Sequence, residues 1–343
     1  VMLFDHCTWD DDYKEITQKI RRDLLKLAQV EETEYTTVLM QGSGSFGVES
    51  VLGSVVPKDG CVLLLSNGAY GERAAKMCSY YEIPCIHVKQ DYNKTPDANE
   101  AEELLKTHPE ITHIMMIHSE TTSGILNDIE SIGKLAEAYG KVFIVDAMSS
   151  FAGVEIPVKD WYIDFLISSA NKCIQGVPGF SFIIANRVLL MESKGRARSL
   201  CLDLYDQWAG MEKDGKWRYT SPTHVVLAFE QAMKELEQEG GIKARHARYQ
   251  KNMDTLVENF ENLGFRLYVD KAWQGPIIAT FLYPEGKHFD FQEMYAYIKE
   301  RGYAIYPGKL TDADTFRIGV IGEIYEEDVL RLTEIMKSYM EQA

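Results

Sequence analysis

Over the first two thirds of the chain, apolar residues fall into short continuous runs instead of alternating with polar ones. The runs are TTVLMQ (36–41), CVLLLS (61–66), IPCIHV (83–88), THIMMIH (112–118), KVFIVD (141–146) and DFLISS (164–169), with FSFIIA following at 180–185. Unbroken runs of this length predict strands buried on both faces. Amphipathic stretches near 14–30, after 44, and near 70–81, 98–107 and 129–139 predict helices between them. The alternation predicts an α/β fold, a mainly parallel sheet covered by helices. Beyond about residue 235 the texture changes. Two long charged helices (222–239 and 242–262) precede short strands RLYVD, PIIATFLY, YAIYP and FRIGVI, with further helices near 290–301 and 326–341. Residues 1–235 are therefore read as a large domain and 236–343 as a smaller α+β domain, with the first fifteen or so residues expected to pack on the small one.

Charge narrows the range of partners. The net charge of −16, from 36 basic and 52 acidic residues, argues against nucleic acid or an anionic membrane surface. A small anionic substrate stays compatible, because a pocket needs only a few local cations. No apolar run approaches the roughly 18 residues of a membrane span. The opening VMLFDHCTWDDDYKE carries acids where a secretory signal carries bases, so a cytoplasmic location is expected. Cysteines 7, 61, 78, 85, 173 and 201 form no CxxC pair and no zinc-like spacing, which predicts reduced thiols and no metal site.

In an open parallel sheet, ligands bind beyond the C-terminal ends of the strands, so what ends each strand matters. TTVLMQ ends in Gly42-Ser43-Gly44-Ser45 and a helix, where free N–H groups favour an anion such as phosphate. Alone, this is equally an ordinary turn; it has neither the GK[ST] of a Walker loop nor the register of GxGxxG. CVLLLS ends in NGAYGER, whose Tyr70 also reads as an amphipathic helix residue. THIMMIH ends in the hydroxyl-rich SETTSG, ordinary as turn chemistry, and KVFIVD ends in Asp146. A carboxylate at the tip of a buried strand is either a helix cap or is met by a cation. DFLISS ends in Asn171-Lys172, ahead of GVPG.

Together these are the parts that pyridoxal phosphate requires. A lysine holds the cofactor as a Schiff base, an acid faces its pyridine nitrogen, a cup of N–H and hydroxyl groups takes the phosphate, and a flat side chain covers the ring. Asp146 would keep the ring protonated as an electron sink. Lys172, once displaced by a substrate amine, would carry the proton, a role suited to a desolvated lysine.

NGAYGER, HSETTSG, VDAMSS and SSANKCIQGVPG, with RYTSPTH (218–224) and FRIGVIGE (316–323), resemble the 2-aminoethylphosphonate:pyruvate transaminases. These are class V members of the fold-type-I pyridoxal-phosphate enzymes. The resemblance spans essentially the whole chain, including TWDDDY (8–13) and LDLYDQW (202–208). It implies that Lys172 bonds the cofactor and Asp146 pairs with the pyridinium. It places Tyr70, a position often Trp in relatives, against the ring, with Thr121 nearby. Ser43, Gly44 and Ser45 would cup the phosphate with Asn171 close by, and Thr220 would reach the phosphate of the neighbouring subunit in a homodimer. Arg317, otherwise readable as an exposed cation on an edge strand, would bind the acidic group of each substrate. Its planar fork suits both phosphonate and carboxylate. Arg73, Ser45 and the HSETTS hydroxyls are candidates for further phosphonate contacts. The family also carries an N-terminal segment with a TPGP-type turn, and this chain starts after it, which leaves substrate closure unspecified.

The implied reaction is amino transfer from 2-aminoethylphosphonate to pyruvate, a ping-pong process of phosphonate catabolism through pyridoxamine phosphate. An alanine–glyoxylate or serine–pyruvate transaminase would share the cofactor residues. A cysteine desulfurase would need a reactive thiol on a mobile loop, for which Cys173 and Cys201 are poor candidates. A cofactor-binding protein without catalysis is the remaining alternative.

Overall fold

The structure is a computed structural model and describes residues 1–284, 289–308, 310 and 313–342. The strands of the first unit are β1 (Tyr35–Gln41), β2 (Cys61–Ser66), β3 (Cys85–Lys89), β4 (Ile111–Ile117), β5 (Ser119–Glu120), β6 (Ile125–Leu126), β7 (Val142–Asp146), β8 (Phe165–Ser169) and β9 (Phe180–Asn186). β5 and β6 form a small hairpin, and the other seven make one sheet in the order β1-β9-β8-β7-β4-β2-β3. β3, β2, β4, β7 and β8 run parallel, whereas β9 runs antiparallel to both β8 and β1. That reversal follows from chain length: the segment between Ser169 and Phe180 is shorter than the dozen or more residues a parallel crossover needs.

Both faces of the sheet are buried, as the unbroken apolar runs predict. Along β2, Leu63 and Leu65 enter one core while Val62 and Leu64 enter the other. The first core is closed by helices Asp11–Leu27, Ala98–Thr107, Ile129–Ala138 and Thr223–Glu239, the second by Gly44–Val55, Ala69–Tyr80 and the short Arg187–Glu192. Helices Arg187–Glu192 and Leu204–Asp214 and the β5–β6 hairpin go beyond the sequence reading.

The second unit is a four-stranded antiparallel sheet, β10 (Arg266–Leu267), β11 (Ile278–Leu282), β12 (Tyr306–Pro307) and β13 (Thr315–Gly319), in the order β10-β11-β13-β12. Its core gathers Phe260, Phe265, Phe281 and Phe316 beneath helices Gly241–Asn262, Phe291–Glu300 and Glu326–Met340. Helix Gly241–Asn262 joins the two units, with Tyr249 in the large-sheet core and Leu256 and Phe260 in the small one. Residue 235 lies inside helix Thr223–Glu239. The N-terminal segment, which the sequence reading set on the small unit, lies against the large one. Tyr13 is buried in the large-sheet core and shares a 2.6 Å hydrogen bond with Ser221, and Thr223 donates to Asp5 at 2.7 Å. The reason is that Tyr13 and Ile20 belong to one buried stripe of helix Asp11–Leu27.

Candidate active site

Asp146 is the last residue of β7, and Lys172 follows the end of the neighbouring parallel strand β8, so both stand at the C-terminal edge of the sheet. Asp146 is buried, and the Met148 amide donates to its Oδ1 at 2.9 Å. Burial pushes its carboxyl up to about 6, against the opposing pull of that hydrogen bond. No hydrogen bond from the described residues reaches Oδ2. Lys172 is half-buried and forms no ion pair with any described carboxylate.

The next strand end contains a residue that the sequence reading passed over. Glu120 is fully buried at the close of the β5 segment. It accepts the Thr122 amide at 3.0 Å, the Thr122 hydroxyl at 2.6 Å and the Tyr70 amide at 3.2 Å. It thereby takes up a free N–H group at the start of helix Ala69–Tyr80 and ties that helix start to Thr122. Burial raises its carboxyl above the ordinary range. The glycine at 68 is needed for this approach, since a Cβ there would stand 2.3 Å from the Glu120 carboxyl carbon. The signal was the same as for Asp146, an acid just beyond an apolar strand, but here it was masked by surrounding hydroxyls.

The turn after β1 leads straight into helix Gly44–Val55. Gly42 has φ +104°, which an L side chain adopts only with strain. At the helix start, Ser43 makes no side-chain cap and the first turn contains no acid. Helices beginning after Asp97, Asp128, Asn186, Asp203 and Asp290 are all capped by those side chains. Arg73 donates to Ser45 Oγ at 3.0 Å and lies 5.1 Å from the centre of the Tyr70 ring. Thr220 is exposed, and its carbonyl accepts from Gln41 Nε2 at 3.2 Å, next to this turn.

A cavity of about 430 Å³ brings Lys172, Tyr70, Thr121 and Arg317 together, with Ser149, Tyr306 and Ile278 also in its wall. Arg317 projects from β13 and is 5% exposed. Its Nη1 donates to the Thr121 carbonyl at 2.9 Å and its Nε to the Pro307 carbonyl at 3.0 Å. No described carboxylate pairs with it. Tyr306, paired opposite Arg317 across β12 and β13, lies with its ring centre 5.7 Å from the guanidinium carbon. Tyr306 had no sequence signal, and Ser149 stands within the VDAMSS motif without having been singled out.

Other expected residues stand apart from this cavity. Asn171 is exposed, accepts from Ser169 Oγ at 3.2 Å and lines an adjoining cleft that also contains Lys172 and Tyr306. Ser43, Gly44 and Ser45 do not line it, and of the three Ser45 is linked to the set through Arg73 and Tyr70. Of the HSETTS hydroxyls only Thr121 lines it; Ser119 Oγ and Ser123 Oγ are enclosed in the protein. Cys173 is buried, donates to the Ser149 carbonyl at 3.1 Å and is pushed up to about 12 by burial, so its thiol is no nucleophile. Cys201 is exposed in a turn outside the cavity.

Residues 7–331 match the family model of class-V aminotransferases. The chain is 54% identical over 339 residues to a 2-aminoethylphosphonate–pyruvate transaminase of Lysinibacillus sphaericus, covering 99% of this chain and 92% of that one. It is 53% identical over 340 residues to a bifunctional phosphonoacetaldehyde hydrolase/aminoethylphosphonate transaminase of Clostridioides difficile, where it covers 99% of this chain but spans only 54% of the relative. Among solved structures, an alanine–glyoxylate aminotransferase from Nostoc superposes with a TM-score of 0.90 at 22% identity, over 98% of this chain and 90% of that one, a likeness of fold. With its family model covering nearly the whole chain and close relatives along its full length, the chain belongs to the class-V aminotransferases.

Proposed function

We propose that the chain transfers the amino group of 2-aminoethylphosphonate to pyruvate, giving phosphonoacetaldehyde and L-alanine, with pyridoxal phosphate as cofactor. The observation that carries this reading is one cavity holding a lysine without an ion pair and, at its other wall, a buried arginine without a carboxylate partner among the described residues. The residues fit the cofactor. An acid with one oxygen free of hydrogen bonds from the described residues stands beside the lysine's strand, a tyrosine lines the same cavity as the lysine, and an uncapped helix start is linked to that tyrosine through Arg73.

When bound, pyridoxal phosphate supplies a carbonyl that takes an amine and a ring that withdraws electrons from the amine-bearing carbon. The chain supplies the rest. Asp146, ionised, would hold a proton on the ring nitrogen. Tyr70 would cover one face and exclude water there. Lys172 would bond the cofactor at rest, and its Nζ, when free, would move the proton at the amine-bearing carbon. Arg317 has five N–H donors, of which two are committed to carbonyls, leaving three, at least one on each terminal nitrogen, for two oxygens of either acid. Ser43, Gly44 and Ser45 take the phosphate, with Asn171 nearby. The same reading includes a cytoplasmic homodimer with Thr220 reaching the neighbouring subunit's cofactor, and a division into domains at residues 1–235 and 236–343. Among the described residues no helix is long and apolar enough to cross a membrane.

The test is a set of single half-reactions without keto acid. The protein loaded with pyridoxal phosphate is mixed separately with 2-aminoethylphosphonate, L-alanine and L-serine while the visible cofactor band is followed. Rapid loss with the phosphonate, and slower or reversible loss with alanine, is expected. Loss with alanine or serine but not the phosphonate would assign a sister transaminase, and no loss with any amine would leave a binding protein.

A further inference from the structure

Arg73 is a cation that neither the reaction nor an ion pair uses. Its neighbour Glu72 pairs with Lys89 at 3.2 Å, and no described carboxylate lies in ion-pair distance of Arg73 itself. It also stands outside the wall of the substrate cavity, where Arg317 already offers donors to an acidic group. Its contacts with Ser45 and Tyr70 point to another task. Nη1 donates to Ser45 Oγ at 3.0 Å, and the guanidinium lies 5.1 Å from the Tyr70 ring centre. A guanidinium can only donate, so the Ser45 oxygen accepts and its own proton must point away from Arg73. Ser45 is the second residue of a helix whose first turn has neither an acid nor a side-chain cap. Freed N–H groups, a hydroxyl forced into the donor role and a positive charge thus converge on one spot.

We propose that Arg73 is the positioning residue for the cofactor's phosphate: it fixes the Ser45 hydroxyl as a donor and supplies the local positive charge. Arg73 is therefore not a ligand of the substrate's phosphonate. This inference rests on the pyridoxal phosphate reading above.

The experiment separates phosphate binding from ring binding. Apoprotein is titrated with pyridoxal phosphate and, separately, with pyridoxal, which has the same ring and aldehyde but no phosphate, following the visible band and protein fluorescence. Arg73→Gln is expected to weaken pyridoxal phosphate roughly tenfold to a hundredfold, the range for a hydrogen bond to a charged group, and to leave pyridoxal little changed. Arg73→Lys should restore part of the loss. Ser45→Ala should cost less in the Arg73→Gln background than alone, because the two act on one oxygen. Equal weakening of both ligands would show a merely structural role and overturn the proposal. So would unchanged cofactor binding, with or without a raised KM for 2-aminoethylphosphonate. An unsubstituted protein that binds neither ligand would overturn the cofactor reading as well, an outcome distinct from these.

Discussion

Arg317 Nη1 donates to the carbonyl oxygen of Thr121 at 2.9 Å, joining residues 196 positions apart, one on the small sheet and one beyond the edge of the large sheet. The bond aims the guanidinium into the cavity and couples the seating of the small sheet to the group proposed to bind the substrates' acids. Arg317→Lys keeps the charge but lacks the planar fork needed to hold both carbonyls and an acid. Its kcat/KM is expected to fall by about 2–5 kcal/mol in transition-state terms for both 2-aminoethylphosphonate and L-alanine. Steady-state kinetics in each direction check this, and loss confined to one substrate would mean that the acids bind at different places.

Asp146 carries a stability cost whose sign can be worked out. Burial holds its carboxyl at about 6 in the fold, against 3.8 for an unperturbed aspartate. The folded protein therefore keeps its proton more tightly than the unfolded chain. This contribution is fully present below about pH 4 and is lost as pH rises through about 6, after which the buried charge costs about 3 kcal/mol. Without cofactor, Asp146→Asn should be more stable than the unsubstituted protein at pH 8, with the difference vanishing near pH 4. Urea unfolding across that range would show a pH-independent difference if burial were not the cause. With cofactor bound, the variant should keep some pyridoxal phosphate yet nearly stop proton transfer, and near-normal turnover would mean another acid faces the ring.

Lys172→Ala should abolish the visible band of lysine-bound pyridoxal phosphate while far-ultraviolet circular dichroism stays unchanged. Retention of that band would transfer the assignment to a different lysine.

Gly68→Ala tests the Glu120 contact. The added methyl would overlap the Glu120 carboxyl, which already holds the Thr122 and Tyr70 amides, so the clash cannot be relieved without loosening both loops. A loss of about 1–3 kcal/mol in unfolding free energy is expected, with weaker cofactor binding. Wild-type stability and affinity together would show that Glu120 is free to swing aside.

The large sheet was legible because strands buried on both faces leave unbroken apolar runs, and each run stops where the polar edge of the sheet begins. Asp146 and Lys172 were visible for the same reason. β5 and β6 were not, since two-residue strands have no period to detect. Leu204–Asp214 escaped because its sequence was read as a family motif, LDLYDQW, instead of as a helix. Arg317 could be assigned only through resemblance. Nothing local in FRIGVI says that this strand faces a cavity completed by Thr121 from the other sheet. Glu120 and Tyr306 depend likewise on contacts between segments distant in sequence.

The segment bearing Lys172 is fastened at both ends and within itself. Ala170 donates to the Phe180 carbonyl at 3.1 Å, Gly176 to the Ala170 carbonyl at 2.9 Å, and Gln175 to the Lys172 carbonyl at 2.8 Å. Its flanks run directly into β8 and β9. These bonds hold the backbone of the lysine in place, so in the proposed reaction any travel would belong to the four-carbon arm alone, and its amine would stay within reach of the place it leaves and regains.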